Sequence, residues 1–247
     1  MRKIISADRS IIIALDAPFE NAVNVVEHTN DLSSIGGYKI PHISGAVGWK
    51  TWVEYCRRHT GKPLIYDAQK WFPDPKERIN IDFISNLKNY GIDAAIVFPL
   101  INLHMLEQIG ESAREKGLGL IVGGDMTTEN NGSESALVES LATGVYHKAT
   151  ELGVRDFVIP GTKPDRITYC KMMIECSGLK DYSFFSPGFV TQGGKISNCA
   201  KRAGKYFHAI IGEGVYWDEK EKRFATKDEM RERITRFSKQ INYKKTQ

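Results

Sequence analysis

Short runs of apolar residues recur along the chain, and polar or glycine-containing turns separate them. Successive runs start about 25 to 37 residues apart, which is enough chain for one strand and one helix in each unit. The runs are nearly continuous in apolar character, which is typical of parallel strands that are covered on both faces. We predict eight such strands, at residues 11–16, 37–41, 63–67, 94–98, 119–123, 156–160, 183–186 and 209–212.

The segments between these runs are patterned as helices, most clearly at residues 83–90, 103–116 and 135–152. Several segments end in a glycine, which commonly terminates a helix before the chain turns toward the next strand. These glycines are Gly91, Gly117, Gly153 and Gly204. Eight such units in about 250 residues predict a closed (β/α)8 TIM barrel rather than an open doubly wound sheet. We expect one domain over residues 1–247, with a charged, helical C-terminal tail from about Lys227.

Composition narrows the class of protein. The 247 residues are 41% hydrophobic and 26% charged, which is close to the globular average and unlike disordered or collagen-like chains. The apolar runs are about five to seven residues long, far below the roughly 20 that a membrane helix needs. Asp8 and Arg9 interrupt the start of the chain, so we expect no secretion signal and no membrane partner. The four cysteines form no C-x-x-C pair, which favours a cytoplasmic location.

The charge balance is mildly basic, with 34 Lys and Arg against 30 Asp and Glu. Much of the excess lies in residues 220–245, where acidic residues are interleaved with the basic ones. That pattern favours a solvated helix face over a nucleic-acid site, because no cluster of aromatic and basic residues accompanies it. We therefore expect no nucleic-acid partner, and a small anionic substrate is compatible with the charge.

Ionisable residues are concentrated at the ends of the first three predicted strands. A TIM barrel builds its site where its strands end, and these residues are Asp16, Lys39, Asp67, Lys70 and Asp74. Taken singly, Asp16 and Asp67 could be helix caps at strand ends. Lys70 and Asp74 could be ordinary loop charges. Lysine is rare inside a buried strand, and charges there are costly to desolvate unless they are paired. Together these charges favour a catalytic site.

Glycine-rich turns follow the seventh and eighth strands. The run S-P-G-F-V-T-Q-G-G at residues 186–194 lets backbone N–H groups approach an anion, and Gly212 and Gly214 form a second tight turn. Such turns are common, but loops after strands 7 and 8 recurrently bind phosphate in this fold. The sequence therefore predicts a phosphate pocket here.

The pattern of potential metal ligands points away from a metal site. The six histidines show no H-x-x-x-H spacing, and the acidic residues form no cluster with metal-ligand spacing. His208 stands at the eighth strand, and we interpret it as a residue at the bottom of the barrel rather than as a metal ligand. No G-x-S-x-G or Walker A motif is present. We expect neither a metal nor an organic cofactor.

Several motifs, in order along most of the chain, resemble the orotidine 5'-phosphate decarboxylase family. The P-x-T-x-P-x-R-I type of run and the S-P-G…Q-G-G run are the most specific of them. The matching runs are A-L-D at 14–16, Y-K-I at 38–40, Y-D-A-Q-K-W-F-P-D at 66–74, D-M-T at 125–127, F-V-I-P-G-T-K-P-D-R-I at 157–167, S-P-G-F-V-T-Q-G-G at 186–194 and I-I-G-E-G-V-Y at 210–216. The charged run reads D-x-x-K-x-x-x-D, which resembles the spacing of some archaeal-type members.

The resemblance implies cofactor-free decarboxylation of orotidine 5'-phosphate to UMP in de novo pyrimidine biosynthesis. Lys39, Asp67, Lys70 and Asp74 would form a catalytic charge tetrad, in which Lys70 protonates C6 of the pyrimidine as carbon dioxide leaves. Asp67 would face the substrate carboxylate and hold the lysines, while Lys39 would bind a ribose hydroxyl and orient Asp67. Asp74 would reach into the site of a neighbouring subunit, so the resemblance implies a homodimer.

The resemblance also implies a set of substrate-binding residues. Some of these residues would hold the ribose and the edge of the pyrimidine. The others would hold the phosphate, with residues 190–197 closing over it as a lid. The implied substrate-binding residues are Asp16, Thr127, Pro187, Gln192, Gly193, Gly212 and Gly214.

Two positions depart from the family pattern. The family usually has an arginine after the glycine of the eighth strand, where this chain has Glu213, and Lys195 and Arg202 are the candidate replacements. The usual D-I-x-x-T reads D-P-K-E-R at residues 74–78. Two alternative functions stay open: a metal-dependent sugar-phosphate lyase or synthase of the same barrel superfamily, and a nucleotide-binding barrel without catalysis.

Overall fold

The eight predicted strands form a closed barrel in the structure, which is a computed structural model that describes residues 3–42, 48–68, 77–99, 103–126 and 133–242. Each strand pairs in parallel with the next along the chain, and β1 also pairs in parallel with β8 to close the barrel. The strands are β1 Arg9–Ala14, β2 Ile35–Ile40, β3 Leu64–Asp67, β4 Ala94–Val97, β5 Gly119–Gly123, β6 Asp156–Val158, β7 Ser183–Ser186 and β8 Phe207–Ile211. The predicted (β/α)8 fold is confirmed.

Helices alternate with these strands, which is why the strands are buried on both faces. The helices after the first seven strands are α1 Phe19–Thr29, α2 Trp49–His59, α3 Glu77–Asn89, α4 Leu103–Lys116, α5 Ser133–Glu151, α6 Pro164–Cys176 and α7 Ile196–Ala203. The glycines predicted to end helices, Gly91, Gly117, Gly153 and Gly204, all have φ between 66° and 90°. That left-handed conformation is unfavourable for residues with a side chain and readily adopted by glycine.

The core has two layers because alternate side chains of a strand point to opposite faces. One cluster fills the inside of the barrel and includes Ile12, Ile65, Ile121, Phe185 and Ile210. The larger cluster lies between the strands and the surrounding helices. The barrel interior is thus a packed core, and the cavity described below lies beyond the layer of apolar side chains at the strand ends.

A polar layer lies below that apolar cluster, at the amino-terminal ends of the strands. Ser10, Asp156, Ser183 and His208 occupy the positions two residues before the interior apolar residues of their strands, and all four are buried. The Ser10 hydroxyl lies 2.9 Å from Nδ1 of His208. Burial raises the pKa of Asp156 to about 7 and lowers that of His208 to about 3. Burial therefore favours the neutral form of both side chains.

The chain after β8 is a short helix, a two-stranded ribbon and a long helix. These are α8 Glu213–Tyr216, β9 Trp217–Asp218, β10 Arg223–Phe224 and α9 Lys227–Ile241. The charged C-terminal stretch is α9, which starts at a capping box formed by Thr226 and Glu229. Its apolar face, including Ile234 and Phe237, is buried in the outer core. No helix within the described ranges has the length and apolar character needed to cross a membrane.

Candidate active site

A cavity of about 300 Å³ opens where the barrel strands end. This is the end at which TIM barrels carry their active sites. Both the strand ends and the loops that follow β5, β7 and β8 contribute to its wall. The cavity is lined by Ala14, Asp16, Lys39, Asp67, Ile96, Phe98, Asp125, Met126, Val158, Pro187, Gly188, Phe189, Thr191, Gln192, Ile210, Gly212, Glu213 and Tyr216.

Lys39 is held between two carboxylates in the wall of this cavity. Its Nζ atom lies 2.6 Å from Oδ2 of Asp67 and 3.1 Å from Oδ1 of Asp16. Lys39 and Asp67 are buried, whereas the side chain of Asp16 is about half exposed, at 48%. Burial acts to lower the pKa of Lys39, but the two carboxylates outweigh that effect, so its pKa is raised. Lys39 is therefore a fixed cation inside the site.

The barrel register explains why these charges meet. Lys39 of β2 pairs with Ala14 of β1 on one side and with Ile65 of β3 on the other. Asp16 and Asp67 each stand two residues beyond those partners, so their side chains emerge on the same inner face. The backbone N–H of Leu15 donates to the carbonyl of Lys39 at 2.9 Å, which extends the pairing of β1 and β2 to this rim.

Asp125 forms a second buried charge cluster in the cavity wall. It follows β5, its side chain is 1% exposed, and its two carboxylate oxygens accept from Lys163 at 3.2 Å and from Arg166 at 2.7 Å. Burial is the largest single effect and acts to lower the pKa of Arg166, but the hydrogen bond to Asp125 and the nearby negative charges, including Asp125 and Glu139, together outweigh it, so the pKa is raised. Nη2 of Arg166 is buried without a hydrogen-bond partner in the described part of the chain.

The backbone around Asp125 is fixed by a tyrosine from α5. The hydroxyl of Tyr146 accepts from the N–H groups of Gly124 at 3.0 Å and Asp125 at 3.1 Å, and donates to the carbonyl of Val158 at 2.8 Å. Tyr146 is fully buried, and burial raises the pKa of its hydroxyl well above its ordinary value. The hydroxyl therefore stays protonated and ties the end of β5 to β6.

Sequence reasoning assigned no role to Lys163, Arg166 or Tyr146. The signal for the first two was present in the T-K-P-D-R-I run, in which a proline starts α6 directly after Lys163. Arg166 then lies one turn into the helix, facing Asp125. In the sequence, Tyr146 looks like any other buried residue of a helix. Nothing there indicates that its hydroxyl has a role at the site.

The loops after β7 and β8 bring some of the predicted phosphate residues to the cavity. Pro187, Gln192 and Gly212 line it, whereas Gly193 and Gly214 are not part of the lining. Gly214 lies under the lid residue Val190, since a Cβ atom at Gly214 would come within 2.9 Å of the valine side chain. Glycine at 214 is therefore required for close packing of the lid.

The lid itself is folded tightly against the neighbouring loops. The N–H of Gly194 donates to the carbonyl of Gly188 at 3.0 Å, and the N–H of Gly161 donates to the carbonyl of Pro187 at 2.7 Å. Phe189 is buried and packs against Gly161, where a Cβ atom would come within 2.5 Å of its ring. Val190 has φ of 69°, an uncommon conformation for a β-branched residue.

Glu213 lines the cavity at the position where the family pattern has arginine. It is exposed and makes no ion pair with a described residue. Neither candidate replacement is part of the described lining: Lys195 is exposed before α7, and Arg202 lies 3.1 Å from Asp165 in an ion pair. The candidate phosphate end of the cavity thus carries no cation from its described lining.

Three predicted site residues, Lys70, Asp74 and Thr127, lie outside the described residues. Within the described ranges, no three His, Cys, Asp or Glu side chains meet in an arrangement that could hold a metal ion.

Comparisons with known proteins agree with the motif resemblance. No protein-family model matches the chain. Curated orotidine 5'-phosphate decarboxylases of Methanococcus maripaludis strain S2 and Pyrococcus furiosus are each 25% identical to it. Each alignment covers 88% of this chain and 94% of the relative. A relative of the same name from Methanosarcina barkeri is 29% identical over 56% of this chain and 58% of the relative. The resemblance to this family is confirmed, while the archaeal-type spacing stays a prediction.

Solved structures support the fold. The orotidine 5'-monophosphate decarboxylase of Methanocaldococcus jannaschii, solved in complex with the inhibitor BMP, matches with a TM-score of 0.78 at 18% identity. The match covers 95% of this chain and 99% of that one. The Pyrococcus horikoshii enzyme matches with a TM-score of 0.74 at 19% identity, over 95% of this chain and all of the other. At these identities the structural likeness concerns the barrel fold.

Proposed function

We propose that this protein is a carboxy-lyase that converts orotidine 5'-phosphate to UMP and carbon dioxide, the decarboxylation step of pyrimidine biosynthesis. The observation that carries the proposal is the position of Lys39, held between Asp67 and Asp16 in a cavity at the catalytic end of a TIM barrel. The likeness to curated decarboxylases over most of the chain supports the same reaction.

The reaction requires a site with fixed charges. Carbon dioxide leaves with cleavage of the bond between C6 and the carboxyl carbon, and the electron pair stays on C6. Without an organic electron sink, a preorganised cation near C6 stabilises that carbanion and then supplies the proton. We assign this role to Lys70, whose ammonium loses a proton to C6 and regains one from solvent.

Lys39 and Asp67 prepare this environment. Asp67 is buried, and its carboxylate keeps Lys39 in place at 2.6 Å. In the proposed complex Asp67 also faces the substrate carboxylate, and repulsion between the two anions is relieved when neutral carbon dioxide forms. Asp16, being half exposed at the rim, is available to accept from a ribose hydroxyl while it still contacts Lys39.

The phosphate is proposed to bind between the loops after β7 and β8. Gln192 and Gly212 line this end of the cavity, next to the lid that Phe189 anchors in the core. Phosphate binding at a distance from C6 supplies energy that holds the lid and the charged groups in their reactive arrangement. Thr127 is assigned to the pyrimidine edge and Pro187 to the pocket wall, while Gly193 and Gly214, which are not part of the described lining, are assigned to the fold of the lid.

The proposed assembly is a homodimer in the cytoplasm. Asp74 would be contributed across the subunit interface, where it completes the tetrad of the neighbouring site. Light scattering coupled to size exclusion tests the assembly, and mixing Lys70→Ala with Asp74→Ala subunits tests the shared site. Recovery of activity in the mixture supports a site built from two chains, whereas an inactive mixture of confirmed mixed dimers argues against it.

The function is tested by following the loss of orotidine 5'-phosphate absorbance with chelator-treated protein and identifying UMP as the product. Turnover under these conditions supports the decarboxylase. Activity that appears only on a sugar phosphate with an added divalent cation would support the alternative lyase, because an enediolate requires such a cation. Tight UMP binding without turnover would support the non-catalytic barrel, which the exposed carboxylate of Glu213 in the cavity wall makes the second candidate.

A further inference from the structure

The end of the cavity nearest β8 is built from neutral groups and the carboxylate of Glu213, and the carboxylate of Asp16 is also close enough to act on Tyr216. Among the described residues that line the cavity, Lys39 is the only cation, and two carboxylates already contact it. The side chains that could donate a hydrogen bond near β7 and β8 are those of Thr191, Gln192 and Tyr216. An anionic group bound here would therefore depend on neutral donors.

Tyr216 stands out among them because its hydroxyl is buried. The residue is 2% exposed and lines the cavity. The backbone N–H of Asp16 is directed at its hydroxyl oxygen, but no group in the described part of the chain accepts the hydroxyl proton. The oxygen lies against the ends of β1 and β8, since a Cβ atom placed on Gly212 would be 3.5 Å from it. A buried polar group without a partner costs free energy, which a ligand that supplied the missing acceptor would relieve.

The ring of Tyr216 is fixed from behind by the ribbon that follows it. It stacks on Phe224 with ring centroids 5.9 Å apart and an angle of 17° between the planes. The carbonyl of Tyr216 accepts from the N–H of Ala225 at 2.8 Å, and Trp217 contacts the edge of Phe224. The hydroxyl is thus held at the cavity wall before any ligand binds, which reduces the entropic cost of a contact.

We propose that the Tyr216 hydroxyl donates a hydrogen bond to a phosphate oxygen of the substrate, so that neutral donors replace a cation at this end of the cavity. The inference rests on the proposed function, because that function places a phosphate between the loops after β7 and β8. Burial raises the pKa of this hydroxyl, which keeps it a donor. Tyr216 is thus a specificity residue that recognises the phosphate rather than the reacting carbon.

The proposal is tested by measuring the affinities of UMP and uridine for the wild type and for Tyr216→Phe. Ligand-detected NMR also measures weak binding, and the two ligands differ only in the phosphate. We expect the substitution to weaken UMP binding about tenfold or more, as for a lost hydrogen bond to a charged group, and to leave uridine binding unchanged. The substrate KM should rise by a similar factor with a smaller change in kcat.

A matched control is Tyr182→Phe. The Tyr182 hydroxyl donates to Glu175 at 2.8 Å and is not part of the described cavity lining. Its loss should lower the melting temperature without changing UMP affinity. Tyr216→Phe should lower the melting temperature of the free protein no more than Tyr182→Phe does, because it removes the contact with the backbone N–H of Asp16 and no bond donated by the hydroxyl.

The remaining outcomes distinguish a wrong assignment of Tyr216 from a wrong proposed function. Equal weakening of UMP and uridine by Tyr216→Phe would place the hydroxyl at the nucleoside and overturn the proposal, as would unchanged affinity for both ligands. Failure of the wild type to bind UMP would overturn the proposed function, and this inference with it.

Discussion

The ammonium of Lys39 lies 2.6 Å from a carboxylate oxygen of Asp67, on the neighbouring strand of the barrel. Both side chains are buried, and the second carboxylate, Asp16, approaches the same ammonium at 3.1 Å from the rim. A buried pair of this kind contributes little net stability compared with apolar side chains, but losing one partner is costly because the other charge stays buried. The pair is therefore better explained by the chemistry of the site than by folding.

The first prediction concerns the pairing of Lys39 with Asp67. Lys39→Met removes the cation from a buried carboxylate, and we expect it to lower the free energy of unfolding by about 3–5 kcal/mol. The double variant Lys39→Met/Asp67→Asn should recover most of that loss without recovering decarboxylase activity. Chemical denaturation of both variants, combined with the activity assay, checks this expectation.

The control for this experiment is Lys50→Met, which removes an exposed lysine 3.7 Å from Glu54 on α2. Exposed pairs of this type contribute about 0.5 kcal/mol or less. If Lys39→Met changed stability no more than Lys50→Met, the buried pairing described for the site would be wrong.

The second prediction concerns Asp125. Arg166→Met leaves the buried carboxylate with Lys163 as its one ion-pair partner among the described residues, and we expect a loss of about 3 kcal/mol in the free energy of unfolding. Lys163→Met should cost less, because the Lys163 side chain is more exposed and its contact of 3.2 Å is longer. The surface pair of Arg231 with Asp31 provides the control, for which Arg231→Met should cost about 1 kcal/mol or less. Equal effects of the three substitutions in denaturation experiments would contradict this order.

The third prediction is a pH dependence from the polar layer at the bottom of the barrel. Burial raises the pKa of Asp156 from its ordinary 3.8 to about 7. Between about pH 4 and 7 the folded state retains a proton that the unfolded state has lost. The contribution of Asp156 to stability therefore falls by about 1.4 kcal/mol for each unit of rising pH.

His208 acts in the opposite direction. Burial lowers its pKa from 6.5 to about 3, so the unfolded state binds the extra proton between about pH 3 and 6.5. Its contribution to stability rises by about 1.4 kcal/mol per unit over that window, and the two slopes nearly cancel between about pH 4 and 6.5. Relative to the wild type, Asp156→Asn should become more stable as pH rises, and His208→Gln less stable. Parallel curves for all three proteins in urea unfolding across this range would refute the assignment.

The fourth prediction concerns Glu213. Replacing this exposed carboxylate of the cavity wall by arginine adds a bidentate donor for phosphate, and we expect Glu213→Arg to increase UMP affinity about tenfold. Uridine affinity should not change, because uridine lacks the phosphate. Glu221→Arg alters the net charge equally at an exposed position outside the described cavity lining, and it should leave UMP binding unchanged. Titration calorimetry compares the variants. An equal gain in UMP affinity from both substitutions would show that the net charge of the protein causes the gain, and would contradict a direct contact at position 213.

The fold could be predicted well because its signals are local and repeated. Apolar runs recur in every unit and helix-ending glycines such as Gly91 and Gly117 in several of them, and parallel strands with this spacing close into a barrel. Strand bounds differ by a few residues, as in β1, which begins at Arg9 instead of residue 11 and ends at Ala14 instead of residue 16. The apolar run itself does not mark where strand pairing stops.

The candidate site could be predicted where charges stand at strand ends. Lys39 and Asp67 meet because both are strand residues on the inner face of adjacent strands, which the sequence pattern implies. Arg166 was not assigned a role, because it contacts Asp125 from 41 residues away, on the helix of the next unit. Tyr216 follows an expected phosphate turn, but its importance arises from the burial of its hydroxyl, which only the folded chain reveals.

The proposed decarboxylation by Lys70 is tested by the rate of carbon dioxide release from orotidine 5'-phosphate by chelator-treated wild type and Lys70→Ala. Circular dichroism should first establish that both proteins are equally folded. We expect sustained turnover by the wild type, with UMP as product, and loss of nearly all turnover in Lys70→Ala. Folded wild type that releases no carbon dioxide, or a Lys70→Ala variant with unchanged turnover, would contradict this expectation.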